Sequence, residues 1–264
     1  TLIQLCRKIR YFRKRHPLSA YILYVGKGMF FMKKRMKYAV IILIMAGIIF
    51  LCQYVGRGLR DYIMADRAAA TSVSGSEKLV VLDPGHGGID AGKTGVNGAE
   101  EKEINLKIAL IAKRMLIEED IPVIMTRESD DRLGDTQTKD LKERVKIMNE
   151  SRPALVVSIH QNSFQGSDVK GPQVFYYTDS AEGKTAAEIL QAGLNQIDPS
   201  NARDMKSNGS YYILKHAEVP VVIVECGFLS NAEEAAKLVT DEYQEKIASA
   251  VAAGIIQYIR ENSQ

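Results

Sequence analysis

The chain has 264 residues, with 35 Lys and Arg against 32 Asp and Glu, a net charge of +3 and only three cysteines. That length allows one large or two small domains, and three cysteines cannot make a disulfide framework or a four-sulfur zinc site. The net charge conceals an asymmetry. Residues 1–37 carry eleven basic and no acidic side chains, which leaves 24 basic groups against all 32 acidic ones in the rest. A basic tail on an acidic body suggests nucleic acid, but this tail stops against an apolar run, so membrane orientation explains it better and no nucleic-acid partner is expected.

Residues 38–55 carry no charge and one strongly polar side chain, Gln53. Eighteen such positions just suffice to cross the hydrocarbon core as a helix, and an apolar character on all faces argues against a buried globular helix. Lys33, Lys34, Arg35 and Lys37 directly before it place the N-terminus in the cytoplasm and the body outside. Cleavage as a signal peptide is the rival reading. Against it, the small residues Ala68-Ala69-Ala70 lie well beyond the apolar run, and the basic region is unusually long. The apolar, aromatic stretch from Ala20 to Met32 is read as lying in the headgroup region. Residues 56–77, with Ser72-Val73-Ser74-Gly75-Ser76, read as a flexible linker. The domain order is therefore a cytoplasmic tail (1–37), a transmembrane anchor (38–55), a linker (56–77) and a catalytic domain (78–264).

Within that domain, runs rich in Val, Ile and Tyr predict strands at 79–83, 121–126, 154–160, 172–177, 211–214 and 220–226. Helical spacing predicts helices at 102–119, 139–151, 181–198, 231–239 and 241–260; in the first, Ile104, Ile108, Ile111 and Met115 share a face. Alternation of this kind predicts an α/β fold, a single three-layer domain with a mostly parallel sheet of about six strands flanked by helices. Ligand sites in such sheets lie at the carboxyl ends of strands.

Three of those ends carry chemistry. The first strand runs into Asp83-Pro84-Gly85-His86-Gly87-Gly88, the third into Ser158-Ile159-His160-Gln161-Asn162, and the last into Glu225-Cys226-Gly227-Phe228. Glu100-Glu101-Lys102 opens the first helix. Two histidines and a carboxylate are the ligand set of an open, catalytic zinc site, with a further carboxylate to take a proton. Taken singly, each group has a plainer reading: His160 as a core histidine, Glu100 and Glu101 as favourable charges at a helix N-terminus. Glu225 at the end of an apolar strand is harder to dismiss, because ionised carboxylates are rarely buried alone. His16 and His216 read as solvated. Strand alternation turns Cys226 away from Glu225, making it a small core residue.

These four ordered motifs resemble the zinc-dependent N-acetylmuramoyl-L-alanine amidases of the amidase 3 type, over about residues 78–260. The resemblance implies that His86, Glu101 and His160 hold Zn2+ and that Glu225 is the catalytic acid/base. It also selects Glu101 over Glu100, which composition cannot do. The implied reaction is hydrolysis of the amide joining N-acetylmuramic acid to L-alanine in peptidoglycan. The run Asp140-Leu141-Lys142-Glu143-Arg144-Val145-Lys146-Ile147-Met148-Asn149, together with the membrane segment, is most similar to the germination-specific branch of spore formers. That branch implies work beside a peptidoglycan deacetylase in making muramic-δ-lactam, and an envelope activator protein is a further expected partner. A carboxypeptidase-like zinc peptidase and an inactive, tethered wall-binding module are the competing readings.

Overall fold

The computed structural model describes residue 36, residues 38–45 and residues 78–262. Residues 38–45 are helical, with Ile41 to Met45 exposing apolar side chains. Among the described residues no helix is long and apolar enough to cross a membrane. The predicted span continues through 46–55, which lies outside the described residues, as do nearly all of the tail and the whole linker.

From Val80 the chain forms an α/β domain on a six-stranded sheet. Its strands are β1 (Val80–Pro84), β2 (Val123–Met125), β3 (Leu155–Asn162), β4 (Gln173–Tyr177), β5 (Lys206–Asn208) and β6 (Val221–Phe228). Their order is β2-β1-β3-β6-β4-β5, with β4 antiparallel to β6 and every other pairing parallel. The central strands β1, β3 and β6 read as near-continuous Val, Ile and Leu because both of their faces are covered. The edge strands β2 and β5 have three residues each, too short to offer a long unpaired ladder to another chain.

The helices are α1 (Glu101–Glu118), α2 (Gln137–Ser151), α3 (Ala181–Asn195), α4 (Tyr212–His216), α5 (Ala232–Leu238) and α6 (Asp241–Asn262). Side chains of Thr136, Ser180 and Asn231 accept from backbone amides at the starts of α2, α3 and α5, which fixes where those helices begin. One face of the sheet buries Leu82, Val157, Ile159, Val222 and Val224 against α1, α3 and α6. The opposite face is smaller: Val81, Val156, Phe175, Val221 and Ile223 meet Val145 and Met148 of α2 and Ile213 and Leu214 of α4.

Five of the six predicted strands and all five predicted helices form within a few residues of their expected limits. The exception is the strand predicted at 211–214, where the chain forms α4 instead. Lys215 N donates to Tyr211 O and Ala217 N to Ile213 O, and the turn so made points Ile213 and Leu214 into the smaller core. Burial of that apolar pair overrides the strand preference of Tyr-Tyr-Ile-Leu. The sixth strand is instead Lys206–Asn208, paired with Phe175–Tyr177 and too polar to show any apolar pattern.

One charged cluster is buried beneath the end of β1. Arg144 of α2, nearly inaccessible, donates from Nη1 to Asp83 Oδ1 and from Nε to Asp140 Oδ2, each at 2.7 Å. Asp83 also accepts from Thr126 Oγ1 at 2.7 Å and Ser158 Oγ at 2.6 Å. Burial alone would raise the Asp83 carboxyl, but Arg144 and the two hydroxyls outweigh it and hold the pKa below the ordinary carboxylate value. A depressed folded-state pKa contributes stability above the unfolded value, lost as pH falls through the folded one. Arg144→Met leaves Asp83 buried and unpaired, and is expected to cost about 3–5 kcal/mol in urea unfolding near neutral pH. The loss should shrink toward about pH 4 as the stranded carboxyl takes a proton; an unchanged difference between the two pH values would show that this charge pair is not its source.

Candidate metal centre

His86, Glu101 and His160 come together at the carboxyl edge of the sheet, with one donor atom from each lying within 4.8 Å of the others. His86 follows β1 in a turn, Glu101 is the first residue of α1, and His160 lies near the end of β3. Glu101 is the hub. Its Oε2 stands 3.3 Å from His86 Nε2 and its Oε1 2.9 Å from His160 Nδ1. The two imidazoles meet edge to face, their centroids 5.0 Å apart.

Burial distinguishes the two adjacent glutamates. Glu101 is 3% exposed, and its oxygens also accept from Lys93 N at 2.8 Å, Gln161 N at 3.0 Å and Asn105 Nδ2 at 3.3 Å. Glu100 is part-exposed and reaches only Lys102 Nζ, at 3.4 Å. Burial would raise the Glu101 carboxyl, yet hydrogen bonds and charge from His160 and His86 hold it far below the usual range. The imidazoles move the opposite way. Burial pulls His86 down, but Glu101 and Asp90 overcome it and carry the pKa to about 9. His160 likewise rises, with Glu101 and Glu225 outweighing its burial.

Glu225 sits on β6 directly opposite His160 on β3, so parallel register puts both side chains on one face. Its Oε2 is buried with no hydrogen-bond partner among the described residues. Burial pushes this carboxyl up to about 7, with Glu101 adding to the rise and the two histidines opposing it. Cys226 points the other way into the larger core and is fully buried, as alternation predicts. His216 is exposed.

Two glycines make the close approach of the rings possible. A Cβ on Gly85 would overlap the His160 ring, and one on Gly92, where φ is +67°, would lie 2.6 Å from Glu101 Oε2 and 2.7 Å from His86 Cδ2. The turn carrying His86 is held from below by buried guanidinium groups. Arg127 donates to Pro84 O and Gly85 O, each at 2.9 Å, and Arg144 to Pro84 O at 2.8 Å and His86 O at 2.6 Å. Lys102 ties Gly88 O at 2.8 Å and Asp130 at 2.9 Å to the start of α1. On the far side, Glu234 accepts from Phe228 N at 2.7 Å and Gly171 N at 3.0 Å, which anchors the turn after β6.

The four groups singled out in the sequence lie together, and around them stand residues to which the sequence assigned no role: Asp90, Asn105 and Arg127, with Arg144 and Gln161 from the quoted motifs. Spacing carried a signal for one of these, since Asn105 lies four residues after Glu101 on the same helix. The residues present fit a divalent cation. Nitrogen and oxygen donors converge on one point, Glu101, Asp90 and Glu225 crowd two imidazoles, and the orphaned Glu225 oxygen faces no donor among the described residues.

Residues 80–257 match the protein family described as N-acetylmuramoyl-L-alanine amidase. The chain is 34% identical over 238 residues to the germination-specific N-acetylmuramoyl-L-alanine amidase of Bacillus subtilis, an alignment covering 87% of this chain and 98% of the relative. Among solved structures, the CwlD amidase of Clostridioides difficile in complex with the GerS lipoprotein is 37% identical with a TM-score of 0.67, covering 70% of this chain and 99% of that one. The amidase AmiC2 of Nostoc punctiforme is 31% identical with a TM-score of 0.64, covering 71% and 99%.

The close approach at Gly85 is directly testable. Gly85→Ala must push the His160 ring aside, and is expected to weaken divalent-cation binding roughly tenfold or more, as displaced ligand geometry does. Elemental analysis after dialysis measures it; an alanine variant that retains wild-type metal content would show that the site tolerates the extra carbon.

Proposed function

The chain belongs to the N-acetylmuramoyl-L-alanine amidase family, enzymes that act on peptidoglycan, and we propose that it does so as a zinc hydrolase of the spore envelope. The observation that carries this reading is the convergence of His86, Glu101 and His160 on one point, with the unpartnered carboxyl of Glu225 on the same sheet face. His86, Glu101 and His160 are the residues that would hold the ion. Zinc, when bound, supplies Lewis acidity that polarises a carbonyl and acidifies water to a pKa of about 7.

The protein's own groups supply the proton traffic. Glu225, ionised and with an oxygen that no described residue hydrogen-bonds, takes a proton from the attacking water as oxygen adds to the lactyl carbonyl of N-acetylmuramic acid. It then returns that proton to the departing nitrogen of L-alanine as the C–N bond breaks. Its raised pKa, near 7, suits both halves of that task. The buried hydrogen bonds to Glu101 and the hold on the His86 turn keep the donors in place between turnovers.

The proposed cellular setting draws on the relatives and on the N-terminal sequence. Similarity to the germination-specific enzyme supports action in spore cortex, beside a peptidoglycan deacetylase, toward muramic-δ-lactam and later germination. The C. difficile relative binds a lipoprotein, which supports an envelope activator as partner. The basic tail at 1–37 and the apolar run at 38–55 support a single-pass membrane protein with a cytoplasmic N-terminus and the catalytic domain outside.

Incubating the protein with purified peptidoglycan should generate new L-alanine N-termini; release of free D-alanine alone would point instead to the carboxypeptidase-like alternative. Glu225→Gln is expected to keep its zinc and lose about 10²–10⁴ in rate. A Glu225→Gln enzyme as fast as wild type would refute the assigned proton path, and full zinc content in His86→Ala or His160→Ala would refute the ligand assignment.

A further inference from the structure

The two ring nitrogens of His86 face different carboxylates. Nε2 points toward Glu101 Oε2 at 3.3 Å, while Nδ1 lies 3.1 Å from Asp90 Oδ2. Asp90 is itself fixed. Its backbone closes the turn with Gly87 by two hydrogen bonds of 3.0 Å, and its second oxygen, Oδ1, accepts from Gly92 N at 3.1 Å. Both oxygens of this carboxylate are therefore committed, one to the turn and one to the imidazole. The pair is partly sheltered, with the His86 side chain 22% and that of Asp90 26% exposed.

We infer that Asp90 is a positioning residue for the metal centre: it holds the proton of neutral His86 on Nδ1, so that the Nε2 lone pair faces the cation. The inference rests on the reading of His86, Glu101 and His160 as zinc ligands. A neutral imidazole has one proton for two nitrogens, and the hydrogen bond made by one nitrogen decides which of them is left to bind metal. A carboxylate at Nδ1 also makes Nε2 the better donor and stops the ring from turning.

His86 needs this help more than its partner does. Its backbone lies in the left-handed region at φ +63°, which is uncommon for a residue with a Cβ, and its turn is built of glycines on both sides. Arg144 holds its carbonyl oxygen, but that contact leaves χ1 and χ2 free. His160 is placed differently. It lies in a paired central strand and its Nδ1 meets Glu101 Oε1 at 2.9 Å, while each ring packs against a glycine, Gly85 for His160 and Gly92 for His86. Strand geometry orients one imidazole, and Asp90 orients the other.

The test compares the full chain in detergent as wild type, Asp90→Ala and Asp90→Asn, each stripped of metal and titrated with zinc against a competing chelator. Asp90→Ala is expected to bind zinc roughly 10–100-fold more weakly. Asp90→Asn leaves one acceptor for two donors, Gly92 N and His86 Nδ1, and should likewise bind zinc more weakly than wild type. The melting temperatures of the three zinc-free chains should stay close together, because the role lies in the ring and not in the fold. An alanine variant within twofold of wild type overturns the inference. Nitrogen NMR of the zinc-loaded wild-type chain decides the matter even if the alanine variant does not fold. A His86 proton on Nδ1 is expected, and one on Nε2 overturns the proposal. A wild-type chain that binds no zinc would instead remove the functional reading beneath it.

Discussion

The ion pair between Arg144 and Asp83 is the interaction on which the site depends. A guanidinium and a carboxylate this deeply buried are tolerated only when every donor and acceptor finds a partner, and here the surplus donors of Arg144 find them in the chain that carries the metal centre. With Arg127 they bind the carbonyls of three successive residues, Pro84, Gly85 and His86, as the chain leaves β1. A Gly-rich turn left to itself would sample many conformations. Anchored at three consecutive oxygens, it has one. Stability and function are thus supplied by the same side chain: the hydrogen bonds that satisfy a buried charge also define where an imidazole sits.

Above that anchor, three carboxylates are driven apart in character by their surroundings. Glu101 receives two imidazoles and three further donors, so its charge is strongly favoured. Glu225 is buried with an oxygen that no described residue hydrogen-bonds, and desolvation raises it toward neutrality. Asp90 lies between these extremes, shared by a backbone amide and the outer nitrogen of His86. In the proposed function one chemical group would serve as ligand, proton carrier and ring support, with the environment alone making the difference.

Much of this was legible in the sequence because strand ends in a parallel sheet are where function collects, and the apolar runs of β1, β3 and β6 are unmistakable. The same rule shows its limit at Asp83. A carboxylate closing an apolar strand describes Asp83 as well as it describes Glu225, yet one neutralises a buried arginine and the other is left without a partner. Only the position of Arg144, 61 residues away in sequence, separates the two cases. Local pattern failed in a related way at 211–214, where apolar residues with strand preference fold as a helical turn because the core beneath needs Ile213 and Leu214 side by side. β5 gave no apolar signal at all: its three polar residues are a strand only because β4 offers them an edge.

The placement of Glu225 opposite His160 is finally a matter of register. Pairing of Val156 with Val221 at the base of the two strands carries up residue by residue to His160 and Glu225, and the irregularity between His160 and Asn162 comes only after that pair. Side chains alternate with a period of two, so a slip by one residue would turn Gln161 or Cys226 into the cleft and send its partner into the apolar core. The slip is opposed along the whole strand, since it would also expose Val222 and Val224, which the larger core holds fully buried. Apolar burial many residues from the reacting atoms is what keeps an acid and an imidazole facing each other. The Gly85 contact then uses that register a second time, because β1 pairs with β3 through Pro84 and Ile159, and the next residue on each strand meets at the His160 ring.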